Sequence, residues 1–154
     1  ASLRNFFLVA PMIYAATGRL AVQNYKPAQL KALKETQKRF RKAVQTHNGA
    51  VLVLENNRFH EIMGEMAANP YLQPSLGRLL IDHCRIGHTF YRPKNSDMAH
   101  RLQLAADHHD AFIAAIEAHD EQAVVDLVFA HWELSRENME IFIAPQGLKA
   151  DDLV

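Results

Sequence analysis

The chain has a single cysteine, Cys84, so no internal disulfide framework can staple it. Glycine and proline are scarce, six of each in 154 residues, and the sequence contains no glycine-rich phosphate loop, no low-complexity stretch and no repeat. An excess of either charge is missing as well: seventeen Lys and Arg balance seventeen Asp and Glu. No overall field therefore draws the chain to nucleic acid or to anionic lipid, and any DNA contact is expected to lie elsewhere. The longest apolar run, "FFLVAPMIYAATG" at 6–18, contains Pro11 and falls short of the roughly 18 residues a membrane-spanning helix needs. It reads as a buried helix or an oligomer surface. Without a disulfide framework or a secretory pattern, the expected compartment is the reducing cytoplasm, with no membrane partner. Helical pattern begins almost at once, so a segment of a longer protein is expected.

What remains is apolar and helical. Apolar residues make up 49% and charged residues 22%, the profile of one compact domain with a real core. Apolar residues recur at three- and four-residue spacing, and no alternating strand pattern appears. Six helices are expected, at about 3–23, 27–46, 50–68, 70–91, 97–118 and 121–143. Pro27 starts the second, Asn69-Pro70 stops the third and caps the fourth, and Pro74 is the place for a bend. Ser96 or Asp97 caps the fifth, Asp120 caps the sixth, and "APQGLKADDLV" follows as a frayed tail. The fold class is all-α, an antiparallel six-helix bundle forming a single domain over 1–154. The second helix carries Lys31, Lys34, Lys38, Arg39, Arg41 and Lys42 around an apolar side, which a solvated surface explains.

Histidines interrupt the apolar stripes. In "AADHHDAFIAAI", His109 shares its face with Leu102, Ala105, Ala106, Phe112, Ile113 and Ile116, whereas His108 lies toward the solvent border. His131 shares a face with Val124, Leu127, Val128 and Leu134. In "ENNRFHEIMGEM", Asn56 and His60 stand one turn apart on the stripe of Val53, Met63 and Ala67. An unpaired buried imidazole nitrogen costs about 1–3 kcal/mol, so each ring needs a partner. A carbonyl or a water would serve any one of them. One shared metal would serve all, and three imidazoles with an amide oxygen suit zinc first, with nickel, iron or manganese as alternatives.

These same residues resemble a known family. "NNRFHEIMGEMAANPYL" followed by "DHHDAFIAAIEAHDEQAVVDLVFAHWEL" is similar to the FCD domain, the effector-binding and dimerising C-terminal domain of FadR-type regulators in the GntR family. His60 matches the histidine of its "FH" pair, His109 the middle histidine and His131 the last, with Asn56 where Asp is more usual. The resemblance implies a six-helix form closer to the VanR-type subgroup and a metal held by Asn56, His60, His109 and His131. It also implies a small organic acid beside the metal, a homodimer, and DNA contact through an N-terminal winged helix-turn-helix absent from these residues.

His83, on the core stripe of the fourth helix, is expected to reach the same cavity or to be a satisfied core residue. Arg85 and Arg19 are candidate carboxylate clamps, since a guanidinium offers two parallel donors. His47, His88, His100 and His119 are expected at the surface. The rival function is a helical-bundle metalloenzyme of hydrolase type using the same histidines. Against it, the sequence has no Glu-x-x-His pair, no His-Glu-x-x-His, and no carboxylate on the stripe to act as base, because Glu55 and Glu61 point away from it. A third possibility is a purely structural module in which the histidines are core polar groups.

Overall fold

A computed structural model describes residues 2–143, with side chains from 4 to 140. Among them the chain forms α1 (Ser2–Asn24), α2 (Pro27–Gln45), α3 (Gly49–Ala67), α4 (Leu72–Gly87), α5 (Ser96–Glu117) and α6 (Glu121–Ile143), with a 3-10 turn at His88–Tyr91. The expected all-α bundle is what the chain builds. The tail expected over 144–154 lies outside the described residues.

Local chemistry sets the helix ends. Pro27 occupies the first turn of α2, and the Gln29 side chain accepts the Lys26 backbone N–H at 2.9 Å. Asn48 caps α3 by accepting from the Val51 N–H, and Asp120 caps α6 by accepting from that of Ala123. Three boundaries differ from expectation, the first being that α4 ends at Gly87 rather than near 91, where the 3-10 turn at His88–Tyr91 takes over. Asn95, rather than Ser96 or Asp97, caps α5, its side chain accepting the Met98 N–H at 2.8 Å. At α4, Asn69 accepts from the N–H groups of Tyr71 and Leu72, so the helix starts two residues later than expected. That start puts Pro74 in the first turn, where a missing N–H breaks no intrahelical bond. Ala68 ends α3 with φ 52°, a left-handed conformation that glycine would adopt without a Cβ penalty.

Helix α3 packs on α1, α2 and α4, and α6 closes the bundle against α1 and α5. The largest core cluster joins Val22, Leu33, Phe59, Met63, Phe112 and Val124 from five helices. A second forms around Phe40, Leu52, Phe90 and Leu102, and a third around Phe6, Leu79, Trp132 and Met139. By length and composition alone α1 could cross a membrane over Arg4–Asn24; here it is a bundle helix running unbroken through Pro11. Gly64 leaves room for the Leu76 side chain of α4, since a Cβ there would lie 2.5 Å from Leu76 Cδ2.

Candidate metal centre and effector cavity

The histidines lie at the seams between these clusters. His109 is fully buried, its ring stacked on Phe59 with centroids 4.1 Å apart and 4.8 Å from that of Phe40. His60 on α3 and His131 on α6 lie deep in the protein but keep part of their surface open to a cavity. The three ring centroids are 5.0 to 5.5 Å apart, and one nitrogen from each ring lies within 4.8 Å of the others. A tetrahedral zinc with bonds of about 2.0–2.1 Å would hold such nitrogens about 3.3 Å apart, so modest side-chain closure suffices.

Hydrogen bonding identifies the atoms that face the cluster. His109 Nδ1 meets Gln37 Oε1 at 3.0 Å, and its Nε2 is buried without a hydrogen-bond partner. His131 Nδ1 lies 3.3 Å from His108 Nδ1, which leaves its Nε2 for the cluster. Burial holds His60 down to about pKa 3, with the nearby His83 ring lowering it further. His109 and His131 are displaced in the same direction, first by burial and then by neighbouring rings. At neutral pH the rings are uncharged imidazoles with lone pairs available, the form a divalent cation binds. An orphaned buried nitrogen among three such rings fits a metal.

The cavity beside the cluster has a volume of about 40 Å³. Its walls are mainly apolar, including Met63, Leu80, Phe112 and Trp132, and among the described residues no Lys, Arg, Asp or Glu lines it. The polar features besides His60 and His131 are Tyr14, His83 and Thr17. The Tyr14 hydroxyl bonds His83 Nδ1 at 2.8 Å, and Thr17 donates to the Ile13 carbonyl. Burial lowers the His83 pKa to about 4 and raises that of Tyr14, so both are neutral.

The structure brings His60, His109 and His131 together and places His83 on the same cavity. Asn56 lines a small adjoining void with Val53, Cys84 and Tyr91, and His83 is common to both spaces. Arg19 is exposed, and Arg85 is exposed and paired with Asp82, and neither lines the cavity. Their residue type suited a carboxylate, but nothing local in the sequence fixes the direction of a long side chain. His47, His88, His100 and His119 are exposed, as expected. Sequence reasoning passed over Gln37 and Tyr14. Gln37 stands four residues after Leu33 and three before Phe40, both buried, so its place on the α2 stripe was a usable signal.

Comparison with known proteins follows the same lines. The family profile described as the FCD domain matches residues 12–134. Among solved structures, E. coli McbR/YncC is similar, with a TM-score of 0.75 at 18% identity, covering 92% of this chain and 64% of that one. The likeness at that identity is one of fold. No curated protein matches in sequence.

Proposed function

Since the chain belongs to the FCD domain family, the effector-binding domains of GntR-type regulators, we propose that it senses a small carboxylate through a divalent metal. His60, His109 and His131 hold the metal, and Asn56, one turn before His60, supplies an amide oxygen. Zinc is the first candidate, with nickel, iron or manganese also suited to imidazole and oxygen donors. Bound there, the metal would supply a positive charge and an open coordination position for an acid group. The observation that carries this reading is the orphaned His109 Nε2 facing two other neutral imidazoles.

The chain's own residues define the acid. With no cation lining the cavity among the described residues, the metal would supply the charge for one carboxylate, and the apolar wall takes a short apolar tail. Among the described residues the lining has no carboxylate to serve as general base, which favours binding over hydrolysis. Leu8, Val9 and Met12 of α1 form an exposed apolar face. This face is the proposed homodimer interface. Acid binding that differs between two packings of the helices would change the spacing of DNA-binding domains outside these residues.

The test is metal content and calorimetry on untagged protein purified without chelator. About one metal per chain, lost in His109→Ala, with acid binding only to the loaded form, is the expected result. Equal acid binding by metal-free protein would overturn it.

A further inference from the structure

Helix α2 contributes no candidate ligand, yet it presents a buried polar side chain to the centre. Gln37 is 3% exposed and makes three hydrogen bonds. Its Nε2 donates to the Ala106 carbonyl at 2.8 Å and to Asp110 Oδ1 at 3.0 Å. A carbonyl and a carboxylate can only accept, so turning the amide over would set its oxygen against two acceptors. Its orientation is therefore fixed, with Oε1 toward His109 Nδ1. That oxygen only accepts, so Nδ1 must carry the hydrogen, and in a neutral imidazole the other nitrogen is then bare. The bare atom is Nε2, the buried nitrogen without a partner.

We infer that Gln37 is a positioning residue: it fixes His109 as the Nδ1–H tautomer, with the Nε2 lone pair aimed at the metal position. The tautomer follows from protein groups alone; only its consequence for metal affinity rests on the function proposed above. The clasp extends outward. Arg41, one turn after Gln37, binds Asp110 through Nε at 2.9 Å and Asp107 at 2.6 Å. Thus the α2 side chains that orient the imidazole also tie α2 to α5.

Long-range proton–nitrogen NMR of metal-free, ¹⁵N-labelled protein tests the tautomer directly, and a zinc titration of the same sample tests its consequence. The parent should show His109 protonated at Nδ1. Gln37→Met, with parental helicity, should lose that single tautomer and bind zinc about 10–100-fold more weakly. In the paired change Gln37→Glu with Asp110→Asn, the new carboxyl, buried and held protonated, donates to the Ala106 carbonyl while its other oxygen still accepts from Nδ1, so both the tautomer and zinc affinity should return to within about threefold of the parent. An Nε2–H tautomer in the parent would overturn the inference, as would parental zinc affinity in folded Gln37→Met. If Gln37→Met does not fold, the parent spectrum and the paired change decide. An Nδ1–H parent that takes up no metal would instead overturn the proposed function and support the tautomer.

Discussion

Phe59 lies flat on His109, the planes 7° from parallel and the centroids 4.1 Å apart. The stack occupies one face of the imidazole while Gln37 holds its edge, so ring position and ring rotation are set by different residues. Phe59→Leu keeps most of the volume but removes the flat contact. It should lower unfolding free energy by about 1–1.5 kcal/mol and weaken metal binding severalfold, read by urea denaturation and metal titration. Unchanged metal affinity in the folded variant would show that the stack does not position the ring.

Acid should destabilise the metal-free protein. Burial holds His60 near 3 and His83 near 4, against 6.5 for a free histidine, so between those values the unfolded chain binds more protons than the folded one. Stability from this source is complete above pH 6.5 and declines as pH falls through the window. Each ring contributes a slope of about 1.4 kcal/mol per pH unit, and His109 and His131 add in the same direction. Urea midpoints measured from about pH 7.5 to about pH 5 should fall steadily, less steeply in His83→Phe. A flat profile would contradict the neutral, buried state of these rings.

The cavity should distinguish acids by their far end. Butanoate and succinate share a four-carbon chain and differ in one carboxylate, which in succinate would meet an apolar wall without a cation. Metal-loaded protein should prefer butanoate by at least about tenfold in calorimetry, a difference of about 1.4 kcal/mol. Arg19→Ala and Arg85→Ala should leave that affinity within about twofold, since exposed side chains outside the cavity have little to lose. Preference for succinate, or a large loss in either variant, would place a cation at the ligand after all.

Ala68→Gly should stabilise the domain. The exposed alanine ends α3 at φ 52° and ψ 36°, a conformation that costs a side chain with a Cβ. Thermal or urea denaturation should report a gain of about 1 kcal/mol with the metal site unaffected. A loss would mean that added freedom in the unfolded chain outweighs the relieved strain.

His109 was legible because a helix converts sequence spacing into direction: every neighbour on its stripe is apolar, and the ring is buried. His60 and His131 could be read in the same way. Helix positions followed from period and punctuation, with residual error at caps, where Asn95 competes with Ser96 and Asp97 for the same N–H groups. The partnerships were hidden. Gln37 and His109 are separated by most of three helices, and no local period indicates that one will cap the other's ring. The Tyr14–His83 bond joins α1 to α4 and was invisible for the same reason. Arg85 differs, its chemistry suited to a carboxylate while it lies exposed outside the cavity and pairs with Asp82 on its own helix.

The complete burial of His109 has a kinetic consequence. An ion held at its Nε2 would be sealed on the α5 side and reachable only from the cavity that His60 and His131 line, so a bound acid would cover the ion's way out. Such an ion would be held longest while acid is bound. The domain would then report the concentration of the acid while remaining nearly blind to brief changes in free metal.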